Sequence, residues 1–234
     1  MDCTPSLLPT VLSLLQTPDD QRGPDWLTQF HTNIVDCSFT DDTPQVFYGP
    51  DHFPYFSLNT PPTDQPFQAF CIRSILEKLT EDGVGVVINR NGMSAQWVFT
   101  YGDLLTLRMF GTLEVSQPFP VRQGKPDPDP ETLSKGKQVL ISQPSEAYLP
   151  GYARKVIRSY VQRMMAIPEP GVFLLSRAGV MPAQELAFSV FPENFANQEL
   201  FNGALGALAW FLPRHYRMVN IPKDSQLAQY FQPL

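Results

Sequence analysis

Apolar positions in this chain change period several times. In residues 6–16, Leu7, Val11, Leu14 and Leu15 fall on one side of a short helix, and Trp26, Phe30 and Ile34 repeat at helical spacing just after it. Residues 36–44 are acidic and read as irregular. A strand is expected at 55–58, followed by the break at Pro61-Pro62. A helix is expected at 65–80, where Phe67, Cys71, Ile75 and Leu79 recur every four residues beside Ile72 and Leu76. Asp64 suits its N-cap, Pro66 its first turn and Gly83 its stop. Strands at 84–88 and 96–100 flank Asn91-Gly92, a pair that tolerates positive φ and favours a tight hairpin. A short helix at 103–110 and a strand at 113–116 complete the first half.

Residues 117–137 hold five prolines and alternating aspartates, a composition that packs no core and marks a linker. The expected domains are therefore 1–116 and 138–234. In the second, strands at 138–142, 172–176, 185–191 and 216–221 alternate with helices at 151–166 and 195–211. The order strand, helix, strand, strand, helix, strand is the ferredoxin-like one, an antiparallel sheet with two helices on one face. Gly203, Ala204, Gly206, Ala207 and Ala209 would let the second helix approach that sheet closely. Residues 55–116 run in a similar order, so the α+β N-terminal domain reads as a pseudo-repeat of the C-terminal one.

Composition supports a globular α+β protein: 43% of the 234 residues are hydrophobic and 17% charged. The 24 prolines, about twice the usual share, predict short elements joined by stiff turns. The net charge of −6 is uneven. Residues 1–137 carry 9 basic and 17 acidic side chains, and residues 138–234 carry 8 and 6. An acidic first half lacks the basic footprint that nucleic-acid binding needs, and the RNA-recognition signature is missing from the strands at 172–176 and 185–191. One basic strip, Arg154, Lys155, Arg158 and Arg163, lies on a predicted helix. It reads as a solvated helix face or as a surface for an anionic partner. No stretch is apolar enough to span a bilayer. Cys3, Cys37 and Cys71 are odd in number and widely spaced, which fits reduced thiols in a cytoplasmic protein better than a disulfide framework.

Chemistry is sparse. His31, His52 and His215 have no second ligand at metal-like spacing. Gly83-Val84-Gly85 follows a helix and precedes a strand, the reverse of a phosphate-binding loop. Asp51-His52 would let a carboxylate orient an imidazole, but no serine or cysteine can be paired with it from the sequence. In the stretch 96–103, Trp97 and Tyr101 line a pocket wall with Asp103 as an acid, or else Trp97 and Phe99 share a strand face and Asp103 caps the next helix.

The residues Val139 to Pro144, Pro170 to Leu175, Glu185 to Val190 and Leu212 to Arg217, with Leu227 near the end, resemble the C-terminal domain of SseB-type proteins. That bacterial family is named for enhanced serine sensitivity. The matching motifs are Ser142-Gln143-Pro144 and Leu212-Pro213, over about residues 138–232. The resemblance implies no catalytic residue and no cofactor.

Three functions follow as expectations. The first is a non-enzymatic bacterial interaction or regulatory protein that binds a protein partner through its sheet or loops, compatible with a homo-oligomer. Its surface would include Asp51, His52, Trp97, Tyr101, Asp103, Arg154, Lys155 and Arg158. The second is an amino-acid sensor of ACT-like type. The third is a hydrolase-type enzyme using Asp51, His52 and Asp103 in a cleft between the domains.

Overall fold

The computed structural model describes residues 3–62, 66–114, 139–177 and 184–234. The chain divides into two compact units, Met1–Val115 and Ser116–Leu234, each combining helices with a sheet. The linker expected at 117–137 and the capping role of Asp64 lie outside the described residues.

The N-terminal unit opens with α1 (Leu8–Leu15) and α2 (Pro24–Ile34). Pro24 pre-sets the first turn of α2, and Asp25 places negative charge at its positive end. Trp26, Phe30 and Ile34 are all buried, as their spacing predicts. The sheet follows as β1 (Thr40–Tyr48), β2 (Pro54–Asn59), β3 (Gly85–Asn91) and β4 (Ser94–Phe99), in that spatial order. β2 and β3 run parallel, so the chain needs a crossover between them. The helix α3 (Ile72–Asp82) supplies it, and α4 (Tyr101–Phe110) follows β4. Phe56, Leu58, Val86, Ile88 and Phe99 share one core with Val11, Phe30, Ile34, Ile72, Leu79, Leu104 and Leu107.

Four expectations change here. The acidic stretch at 36–44 is irregular only in part: β1 begins at Thr40, and its pairing with β2 is interrupted between Asp41 and Val46. Asp42 would disfavour a strand, but Arg90 on β3 pairs with it at 2.7 Å. The guanidinium holds the Asp42 carboxyl below the usual carboxylate range. The helix expected from residue 65 starts only at Ile72. Phe70 exchanges both backbone hydrogen bonds with Phe39, each 2.8 Å, which keeps the chain extended where periodicity alone suggests a helix. The hairpin turn is Gly92-Met93, one residue later than Asn91-Gly92, with Gly92 at φ +62° and Asn91 paired to Ser94. Leu113 and Glu114 belong to no strand.

In the C-terminal unit the elements are β5 (Val139–Ser142), α5 (Gly151–Met164), β6 (Gly171–Arg177), β7 (Gln184–Phe188), α6 (Gln198–Trp210) and β8 (Gln232–Pro233). The element order matches the expectation as far as α6, but the pairing is not ferredoxin-like. β5 lies directly against β6 and antiparallel to it, where a split βαβ unit would put the third strand between them. Residues 216–221 form no strand either; Met218 makes a single parallel bridge to Leu186. Val219, Ile221, Leu227 and Phe231 instead cluster with Val139, Ile141, Phe173, Leu175 and Ala187. One sheet face is thus covered by the chain after α6. The N-terminal unit shares the run strand, helix, strand, strand, helix, yet its first two strands of that run are parallel, so the pseudo-repeat does not extend to pairing. Gly203 and Gly206 are exposed with nothing within 4 Å of an added Cβ, and they do not mediate a close approach to the sheet.

Glycine is required elsewhere. A Cβ on Gly85 would lie 2.7 Å from the Phe99 carbonyl oxygen and 2.8 Å from the Tyr55 ring. The Gly85→Ala variant should lose about 1–3 kcal/mol through overpacking. Gly203→Ala should gain about 0.5–1 kcal/mol from reduced unfolded-chain freedom. Urea unfolding of the two variants against the parent checks both signs.

Candidate functional site

Asp51 and His52 sit in the loop joining β1 to β2, both exposed. The Tyr55 hydroxyl donates to Asp51 Oδ2 at 2.5 Å, and the Phe53 amide donates to Oδ1 at 3.2 Å. The Tyr55 ring is seated between Gly49 and Gly85, since an added Cβ on either would come within 2.8 Å of it. Asp51 therefore works as the anchor of a buried tyrosine. His52 takes φ +66°, and its amide donates to the Gly49 carbonyl, closing the turn.

Asp103 is the third residue of α4. Its carboxylate accepts the Thr100 amide at 2.9 Å, while Thr100 Oγ1 accepts the Asp103 amide at 3.1 Å. This is a reciprocal capping box, and of the two readings of this stretch it favours the cap. Tyr101 is fully buried, and its hydroxyl donates to the Thr80 carbonyl at 2.9 Å. Trp97 and Phe99 do share a strand face. They meet Trp26 and Phe30 in an aromatic cluster, with Trp97 4.7 Å from Phe30 and the Arg22 guanidinium over the Trp26 ring at 4.9 Å. His31 joins this cluster and lies 3.4 Å from Glu114.

On α5, Arg154 is not part of a free basic strip, because it pairs with Glu146, whose other oxygen accepts the Gly151 amide. Lys155, Arg158 and Arg163 remain exposed. No group of three or more His, Cys, Asp or Glu among the described residues is placed to hold a metal ion.

Two features of the fold carry no local signal in the residues. One is a tyrosine pair: Tyr148 and Tyr216 stack at 4.3 Å, and the Tyr216 hydroxyl donates to the Tyr148 carbonyl at 2.5 Å. They are 68 residues apart, so no local signal joins them. Burial pushes the Tyr148 hydroxyl up to about 12, helped by the Glu185 charge, and raises Tyr216 further. Burial also lowers His215, whose ring stands edge-on to Tyr216.

The other feature is an asymmetry between the sheet edges of the N-terminal unit. β1 carries Asp41, Asp42, Pro44 and a register shift between Asp41 and Val46. Such devices blunt an edge against further pairing. β4 has none of them. Its sequence, Ser94 to Phe99, has no charge and no proline, and it pairs with β3 without a register shift. Ser94, Gln96 and Val98 point outward, with Val98 41% and the turn residue Met93 61% exposed. Among the described residues no strand pairs with its outer side.

Two outcomes follow. Thr100→Ala should cost about 1 kcal/mol through loss of the cap, and Asp103→Ala should destabilise in the same direction, both read by urea unfolding. The tyrosine pair favours its neutral forms in the folded state, with hydroxyl values above the ordinary value near 10. Its stabilisation is complete below pH 10 and is lost as pH rises through about 12. Thermal melts between pH 9 and 12 should show this fall, and it should be shallower in Tyr148→Phe.

No family model matches the chain, and neither a curated protein nor a solved structure matches it.

Proposed function

We propose that this chain is a non-catalytic interaction protein that binds an extended segment of a partner protein along β4. The observation that carries this reading is the unguarded edge: a regular, uncharged, proline-free strand in a sheet whose opposite edge is guarded. An extended peptide added there would satisfy the outward backbone groups of β4, and its alternate side chains would meet Val98 and Met93. The commitments of the candidate acids support a non-catalytic role. Asp51 holds Tyr55 and Asp103 closes a helix cap, so both carboxylates are occupied by structure. The resemblance of residues 138–232 to SseB-type proteins, itself a proposal, agrees with this because that family implies no catalytic residue.

A display library of random peptides selected on the purified protein tests the reading. The expected result is enrichment of segments with alternating apolar residues, slowed amide exchange in β4 on binding, and loss of binding in a Gln96→Lys, Val98→Lys double variant. A Lys155→Glu, Arg158→Glu variant should bind as the parent does. Enriched peptides that protect another surface, or that bind the β4 variant equally, would overturn it.

A further inference from the structure

The three cysteines, distant in sequence, come together in the N-terminal unit. Thr4 forms a parallel bridge with Cys37, and its amide donates to the Asp36 carbonyl at 2.8 Å. The start of α3 closes on the same segment from another side. The Arg73 amide donates to the Val35 carbonyl at 3.0 Å, and the Arg73 guanidinium pairs with Asp36 at 2.6 Å. Residues 35–37 are thus held between the segment around Cys3 and the head of α3.

Within this junction the sulfurs are not equivalent. Cys3 is half-buried, and its Sγ donates to Ser74 Oγ at 3.8 Å. Ser74 Oγ in turn accepts the Cys71 amide at 3.2 Å and donates to the Cys71 carbonyl at 2.8 Å, fixing Cys71 as the N-cap of α3. The Ser74 hydroxyl thus joins the Cys3 sulfur to the Cys71 backbone. Cys37 is fully buried and turns its Sγ to the Ser38 carbonyl at 3.9 Å. Cys3 and Cys71 therefore meet at one hydroxyl, and only Cys3 of that pair reaches solvent.

We infer that Cys3 and Cys71 are an oxidisable pair that closes to a disulfide in the presence of a hydroperoxide, fastening the segment around Cys3 to the head of α3. The deprotonated Cys3 sulfur attacks one peroxide oxygen and the O–O bond breaks. The departing oxygen takes a proton and leaves as water or an alcohol, and Cys3 becomes a sulfenic acid. The Cys71 sulfur then attacks that sulfur, the S–O bond breaks, and the hydroxyl leaves as water with the Cys71 proton. Two electrons pass from the thiols to the peroxide. Closure is slow at neutral pH, because burial pushes the Cys3 thiol up to about 11 and leaves little thiolate. Cys37, pushed up to about 12, stays a spectator. The bond would close a long loop, from Cys3 to Cys71, which restricts the unfolded chain.

Hydrogen peroxide applied to the folded full chain tests this, followed by alkylation under denaturing conditions and peptide mapping. The expected product links the Cys3 and Cys71 peptides, leaves Cys37 alkylated, reverts with dithiothreitol and raises the unfolding midpoint. Its rate should rise about tenfold per pH unit from pH 7 to 9. Phenylarsine oxide, which captures two adjacent thiols, gives a readout without oxidation. Parent and Cys37→Ser should bind it, and Cys3→Ser and Cys71→Ser should not. A linked peptide containing Cys37, or Cys3 and Cys71 both alkylated after oxidation while phenylarsine oxide fails to bind the parent, would overturn the inference.

Discussion

The parallel pairing of β2 with β3 sets the rest of the N-terminal unit. Tyr55, Phe56, Ser57 and Leu58 face Gly85, Val86, Val87 and Ile88 in register, and all eight are buried. A slip of one residue would turn Phe56 and Leu58 out of the core. Parallel neighbours cannot be joined by a short turn, so the chain must spend residues 60–84 on the crossover that contains α3. The same pairing makes β1 and β4 the edges of the sheet and brings Tyr55 against Gly85. That contact admits no Cβ on Gly85, and it carries the Tyr55 hydroxyl to Asp51.

This constraint also explains why the residues that look chemical are mostly architectural. Asp51 anchors the tyrosine that the central pair buries. Asp103 and Thr100 close the helix that begins immediately after β4. Arg154, apparently one member of a basic strip, is turned to Glu146 at the start of its own helix. Outward-facing among the described residues are, besides His52, the apolar side chains of Val98 and Met93 at β4 and the cations Lys155, Arg158 and Arg163 on α5. An edge strand without proline, charge or bulge is a surface that pairs with other chains, which is why the functional reading rests there.

Much of the architecture is legible in the residues. The spacing of Trp26, Phe30 and Ile34 gives α2 and its buried face. Gly83 stops α3 at φ +75°, and the Asn-Gly region places the β3–β4 turn to within one residue. The cap at Asp103 is readable because a capping box is local, spanning only four positions. The start of α3 is not, because the Phe39–Phe70 bridge that delays it joins residues far apart in sequence. β1 is hidden for a similar reason. Its aspartates look like loop until Arg90, 48 residues later, arrives beside Asp42.

Local spacing along the chain is enough to say which segments are amphipathic, where helices stop and turns fall, and that the two halves differ in charge. These follow from local backbone preference and from periodicity, which act within a few residues. Long-range packing sets β5 against β6, lays the chain after α6 over a sheet face, and brings Cys3 and Cys71 to the same serine hydroxyl. Such contacts depend on which surfaces are buried together, and burial is a property of the folded chain that no short window of residues contains.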